Sequence, residues 1–453
     1  MFGRTLASAL MTLALTAGAC RAQATLVFRN VAVVDLDGGT VRPDMIVEVA
    51  NGRVTRVEPA AGRPAPPSAQ ATVVDGRGKF LIPGLWDSHV HLTKLGAAGL
   101  PAFVANGVTS VRDMGSDLAE VLQWRREIES GARPGPRIKT AGQILETRAN
   151  VERMKREATV EPVDRLRIPI GTPAEAQAAV ARLARAGADL LKVRSVADVA
   201  TLRVLVDAAR VHGLSLTGHP VAPPDTLIDL PMGSVEHLLT FPPLTSPPAE
   251  RRALFERMRD AKVWMGTTTV NVEGSILVPY QTAIARLRTD PLGRFVSRYL
   301  ASDWLEQVEE KKLPEAATAT AAYKRELPNL LRDLREMHAA GVSFLAGSDA
   351  AVAFMYPGFS LHGELESLVQ SVGLKPVEAL RAATVNPAAF FGLERELGAI
   401  RPGYRADFVL LNGNPIEDIR RTRQIAGVAR DGRWFDRAAL DALLERSALE
   451  ARQ

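Results

Sequence analysis

Six side chains of this 453-residue chain are metal-capable or acid–base groups set in or at the ends of short apolar runs. His89 and His91 close an apolar run, Leu-Ile-Pro-Gly-Leu-Trp-Asp-Ser-His-Val-His. Strand side chains alternate faces, so residues two apart point the same way and both imidazoles can reach one ion. Imidazole suits zinc and its neighbours in the first transition row. Lys192 lies inside the apolar stretch Leu-Leu-Lys-Val, His219 follows Ser-Leu-Thr-Gly, His237 closes Ser-Val-Glu-His, and Asp349 closes Ala-Gly-Ser-Asp. Each residue alone also has a plainer reading. A histidine at a strand end is often just a satisfied polar group, and a buried lysine can be paired with a carboxylate. Asp349 could cap a helix, and Glu236 could orient a histidine from behind.

The elements that must carry these residues are strands in strand–helix alternation. Strands are expected at 80–85, 109–113, 138–142, 190–193, 215–218, 234–236, 263–267 and 342–346. Thr172-Pro173-Ala174-Glu175 is a capping box with proline at the first helical position. Gly187, Gly213 and Gly341 stand where helices stop just before strands. Eight such units predict a (β/α)8 TIM barrel, whose chemistry sits at the C-terminal ends of its strands. Five of the eight end in the residues named above. Of the other histidines, His212 and His338 fall in the last turns of helices, where positive charge is favoured. His362 follows strand eight, and a metal role there has little to support it.

Both chain ends read differently. Residues 25–80 hold short β-rich runs separated by Asp37-Gly38-Gly39 and Asn51-Gly52, the latter a strong hairpin signal. A Pro-, Ala- and Gly-rich loop covers 61–70. Residues 395–453 return to strands at 406–411 and 424–430, then end in a helix. The two ends are expected to form one discontinuous small β-sandwich domain. The division is then 1–24 signal peptide, 25–80 first part of the sandwich, 81–394 barrel, and 395–453 second part with the terminal helix.

The address follows from the first 24 residues. Arg4 precedes an apolar run, and Ala22-Gln23-Ala24 is a cleavage site, so the mature chain is expected to start near Thr25 in a periplasmic or secreted protein. The single cysteine, Cys20, would leave with the segment. Its alternative role is the lipidated residue of a lipoprotein. No other run is long and apolar enough for a membrane span. The formal charge of +5 comes without a dense basic run, so nucleic-acid binding gains no support. A hydrophobic fraction of 46% suits a soluble globular protein with a sizeable core.

The whole pattern, His-X-His, strand-four Lys, strand-five His, strand-six His and strand-eight Asp, resembles the amidohydrolase superfamily. The segments Ser-Val-Glu-His, Ala-Gly-Ser-Asp-Ala, Ala-Leu-Arg-Ala-Ala-Thr-Val-Asn-Pro-Ala and Leu-Gly-Ala-Ile-Arg-Pro-Gly-Tyr-Arg-Ala-Asp-Phe-Val are similar to its imidazolonepropionase-like and Xaa-Pro dipeptidase-like branch. The resemblance implies a binuclear site, usually zinc. His89, His91 and Asp349 would bind one metal, and His219 and His237 the other. Lys192, carbamylated by carbon dioxide, would bridge both. A metal-bridging hydroxide would attack an amide, with Asp349 as the acid–base residue. The implied small-molecule substrate is a dipeptide or N-acyl amino acid. The alternatives are a cyclic amide, lactone or organophosphate hydrolase on the same metals, or a metal-binding protein without catalysis. One departure stands out: many relatives carry Gly-Gly-His after strand three, and residues 143–151 here lack histidine, leaving Arg148 as the candidate contact in that loop. The insertion 270–340, with Tyr280, Tyr299, Trp304 and Tyr323, reads as a lid or as plain helical packing.

Overall fold

The computed structural model describes residues 26–60, 71–157, 160–237 and 245–453. The segment read as a signal peptide, with Cys20, and the loop 61–70 lie outside them. Among the described residues no helix is long and apolar enough to cross a membrane.

The chain opens with β1 (Leu26–Asp35), β2 (Thr40–Ala50), β3 (Arg53–Pro59), β4 (Thr72–Asp75) and β5 (Phe80–Pro83). The Asn51-Gly52 turn joins β2 and β3 as an antiparallel hairpin, with both residues at positive φ. Next come β6 (Leu85–Val90), β7 (Val108–Asp113), β8 (Arg137–Thr140), β9 (Ile144–Thr147) and β10 (Arg167–Ile170). They are followed by β11 (Leu191–Val193), β12 (Leu216–Gly218), β13 (Ser234–Glu236), β14 (Trp264–Gly266) and β15 (Phe344–Leu345). The chain closes with β16 (Phe408–Leu411), β17 (Ile425–Arg430), β18 (Arg433–Asp436) and the helix Arg437–Ala451.

Three sheets result. Strands from both chain ends share one eight-stranded sheet, ordered β18-β17-β16-β5-β1-β2-β3, with β4 on β1. Its core gathers Leu26, Phe28, Val47, Leu81, Phe408 and Leu410. The middle of the chain forms a three-stranded sheet β6-β7-β8 and a seven-stranded sheet β10-β9-β11-β12-β13-β14-β15, all parallel. Backbone bonds join these two sheets on both sides. Ser88 N–H donates to Ala346 O (2.9 Å) and Asp349 N–H to His89 O (2.8 Å), while Asp189 N–H donates to Thr140 O (2.8 Å).

Every strand expected between 80 and 346 is present, with two differences. The first apolar run is two strands, not one: β5 pairs with β1 and β16, and β6 with β7. The break is at Gly84, where a Cβ would lie 2.1 Å from Thr109 Oγ1, so only glycine lets the chain pass from one sheet to the other. The stretch read as a loop after strand three is β9 followed by the helix Arg148–Glu157. Thr172 caps its helix by accepting from Glu175 N–H, and Pro173 occupies the first turn.

A candidate metal centre at the strand ends

Strand β6 delivers His89 and His91 to the C-terminal side of the parallel strands, where β11, β12, β13 and the segment after β15 bring Lys192, His219, His237 and Asp349. His91, Lys192, His219, His237 and Asp349 line a single cavity of about 570 Å3, and buried His89 sits behind it. His91 Nε2 lies 3.3 Å from Asp349 Oδ1, and His89 Nε2 3.6 Å from it. His237 Nδ1 lies 3.7 Å from Asp349 Oδ2. The His89 and His237 rings are 4.4 Å apart, and those of His219 and His237 4.9 Å.

These distances suit a divalent ion. Ligands about 2.1 Å from zinc at tetrahedral angles lie roughly 3.4 Å from one another. The ligand atoms of His89, His91 and Asp349 all fall within 4.8 Å of one another. His89 Nε2 and Lys192 Nζ are buried without a hydrogen-bond partner, which a bound ion and a modified amine would relieve.

The tautomers are set from behind. Glu236 lies 2.9 Å from His89 Nδ1, and the Gly115 carbonyl 3.1 Å from His91 Nδ1. An Nδ1–H that donates to these oxygens leaves each Nε2 lone pair facing Asp349. His237 Nδ1 meets Thr268 Oγ1 at 2.9 Å. Burial, aided by the charge on Lys192, lowers His89 to about 4 and holds His219 well below the usual imidazole range. Neutral imidazole is the ligand form. Burial also brings Lys192 down to about 8, toward the amine. For Asp349 burial alone would favour the neutral acid. Positive charge on His237 and His89, where they carry it, and a hydrogen bond from His91 outweigh it and hold Asp349 well below the usual carboxylate range.

Beneath the site lies a polar base. Arg112, buried in β7, donates through Nη1 to Ser234 Oγ (2.9 Å) and through Nη2 to Glu236 Oε2 (2.8 Å). Glu236 is thereby held ionised and aimed at His89. Glycines make the room: a Cβ on Gly266 would sit 2.1 Å from Glu236 Oε2, and one on Gly347 2.6 Å from His89 Cβ. On the cavity side, Asn271 Nδ2 donates to Asp349 Oδ2 at 2.8 Å. His237, Thr268 and Asp349 all have positive φ, at 70°, 42° and 58°. Strain on non-glycine residues of this kind collects where the surroundings force a functional geometry.

Residues expected elsewhere fall as follows. His362 is remote from this cluster, with its ring nitrogens 3.0 Å from Thr422 Oγ1 and Asn106 O. Arg148 faces outward and pairs with Glu175, while Arg153 and Met154 from the same helix reach the cavity. The long insertion forms one cavity wall, through Asn271, Val272, Ile276, Glu306, Gln307 and Tyr323. Arg112, Thr268 and Asn271 were not anticipated. Arg112 carries the same signal as Lys192, a charge inside an apolar strand. Thr268 and Asn271 sit at the start of a short helical segment, residues 269–276, whose path no local pattern reveals.

Fold and site together define a mixed α/β protein of parallel-strand sheets whose strand ends gather a His-His-Asp group able to hold a metal. The family model described as the amidohydrolase family matches residues 301–435. An adenine deaminase of Paracoccus denitrificans is 27% identical over 427 residues, 88% of this chain and 57% of that protein. The chain thus spans little more than half the length of the curated relatives it matches over most of its sequence. Phenylurea hydrolase B superposes with a TM-score of 0.69 at 25% identity, covering 92% of this chain and 98% of that one. A prolidase complexed with N-methylphosphonate-L-proline superposes with a TM-score of 0.69 at 22% identity, over 91% of this chain and 99% of that one. The chain thus matches the amidohydrolase family over residues 301–435 and shares its fold with the solved prolidase and phenylurea hydrolase structures.

Proposed function

We propose that this chain is a metal-dependent amidohydrolase that cleaves the C–N bond of an amide, in a dipeptide or N-acyl amino acid. The observation that carries the reading is the convergence of four histidines and Asp349 around the unpartnered, buried amine of Lys192. The barrel reading rests on the eight parallel strands β6–β8 and β11–β15 and on the backbone bonds that join them on both sides. The division at 25–80, 81–394 and 395–453, export of the chain, and loss of residues 1–24 belong to the same proposal. N-terminal sequencing of exported protein tests the last of these, with Thr25 expected.

His89, His91 and Asp349 would hold one divalent ion, and His219 and His237 a second, with zinc expected from these donors. Such ions, when bound, polarise a carbonyl and lower the pKa of a water molecule. Lys192 lines the same cavity as His91, His219, His237 and Asp349. Near its lowered pKa an appreciable fraction is free amine, whose lone pair can form a bond to the carbon of carbon dioxide. Loss of a proton then leaves a carbamate, an anionic oxygen donor where an ammonium would repel cations. Asp349 takes the proton from the attacking water and delivers it to the leaving nitrogen, a transfer amides need because an amide anion leaves poorly. The Asn271 amide pins Oδ2, so the carboxylate keeps one orientation while the proton moves.

The test is turnover by protein reconstituted with zinc and bicarbonate, on dipeptides and N-acyl amino acids beside adenine, lactones and phosphotriesters. Amide cleavage well above the others is expected. Turnover of adenine alone would favour deamination, the activity for which the Paracoccus relative is named. No turnover by metal-loaded protein would leave metal binding without catalysis.

A further inference from the structure

Besides Lys192, four cationic side chains line the cavity, and three of them are matched. Arg167 donates to Glu146 and to Glu161, each at 2.6 Å. Lys94 pairs with Glu161 at 3.3 Å and with Asp303 at 3.2 Å. Arg153 pairs with Glu157 at 2.6 Å. Arg194 is the exception. Its Nη1 reaches Glu146 Oε1 only at 3.5 Å and Met154 Sδ at 3.7 Å, and Glu146 is already engaged by Arg167 and by Asn150. Its Nε and Nη2 have no acceptor among the described residues. The side chain is 41% exposed and opens into the cavity rather than packing under it.

Position gives this guanidinium its meaning. Arg194 follows the end of β11, two residues beyond Lys192, and both side chains line the same cavity. Guanidinium offers five donors in a planar fork that matches a carboxylate with two parallel bonds.

We infer that Arg194 anchors a free carboxylate of the substrate, so that the amides taken here are those carrying such a group beside the scissile bond. This rests on the reading of the cavity as an amide-hydrolysing site and assigns the residue that would recognise the carboxylate which dipeptides and N-acyl amino acids share. Neutral amides of the same shape would leave the fork unpaired.

The experiment uses zinc- and bicarbonate-loaded protein with pairs of probes: N-acetyl-leucine, N-acetyl-phenylalanine and N-acetyl-proline, each beside its carboxamide. Both kcat/KM and binding by calorimetry are measured for wild type, Arg194→Gln and Arg194→Lys. Wild type should favour the carboxylate roughly 10- to 100-fold, the range of charge-assisted bonds. Arg194→Gln should bring that ratio close to one, and Arg194→Lys should keep part of it, since a point charge replaces the fork. If Arg194 only supports Glu146, both members of each pair fall together and the ratio stays, which overturns the anchor. A wild-type protein with no carboxylate preference also overturns it. Binding that shows the expected ratios without turnover upholds the anchor and sinks the hydrolytic reading.

Discussion

The sheet built from both chain ends and the ends of the parallel strands obey opposite rules. In the first, the interior is apolar: Phe28 packs edge-on against Phe408 and Trp434, with centroids 6.1 and 5.2 Å apart. Left-handed backbone there falls on Asn30, Asp44, Asn51 and Asp431, residue types that tolerate it. In the second, the buried groups are charged: Arg112, Lys192, Glu236 and Asp349 are all sequestered. Left-handed backbone falls on His237, Thr268 and Asp349, which sit at the candidate metal site. The first region spends its sequence on stability, and the second accepts burial and strain to fix a chemical geometry. Mutations should therefore separate stability from activity.

Asp349→Asn should show the largest effect. It keeps an oxygen facing His89 and His91 but removes the proton acceptor, so kcat should fall by about 10²–10⁴-fold. Metal content should hold, as read by elemental analysis of the folded variant. Near-normal turnover would remove Asp349 from the chemistry.

Glu236→Gln and Phe28→Ala sharpen the contrast. The first leaves the buried Arg112 guanidinium without its counter-charge and should cost about 3–5 kcal/mol. The second opens a cavity in the end-derived sheet and should cost about the same. Denaturant unfolding should give similar losses, but only Glu236→Gln should also lower kcat/KM and metal affinity, because only it frees His89. Equal activity losses in both would erase the distinction between the regions.

A smaller effect concerns Glu364, on the helix Phe359–Ser367. It accepts from Thr267 Oγ1, Thr269 Oγ1 (2.8 Å) and Val270 N–H (2.8 Å), and so holds the short helical turn that carries Thr268 and Asn271. Burial raises it to about 7 from an ordinary 4.5. The folded protein then binds more protons than the unfolded chain between these values, so this group costs stability as pH rises through that window and carries the full cost above it. Glu364→Gln lacks the ionisation, and its deficit in Tm relative to wild type should shrink from pH 5 to pH 8. A deficit that grows with pH would contradict the raised pKa.

Much of this arrangement was legible from the sequence for physical reasons. Histidine, lysine and aspartate at the ends of short apolar runs stand out because burying such groups is costly without a function to retain them. Glycines and the Thr172 cap marked the helix limits. What escaped was set by packing. β10 contains Pro169, which argues against a strand, yet β10 lies at the edge of its sheet where a missing N–H is tolerated. β9 holds Glu146, whose charge masks a strand until Arg167 is seen beside it. Gly84 looked like part of one apolar run, and only Thr109 across the sheet shows why it divides two. Arg194 stands just past the strand that carries Lys192, but its poorly matched charge appears only when its neighbours are counted.

The count of metal ions bears most directly on the proposed chemistry. Wild-type protein reconstituted with zinc and bicarbonate, then freed of excess metal, should carry two ions per chain by elemental analysis. Lys192→Ala, folded by circular dichroism, should carry one or none and recover in part with acetate, which supplies the missing oxygen bridge. One ion or none in the wild type, or two retained without Lys192, would contradict the binuclear site.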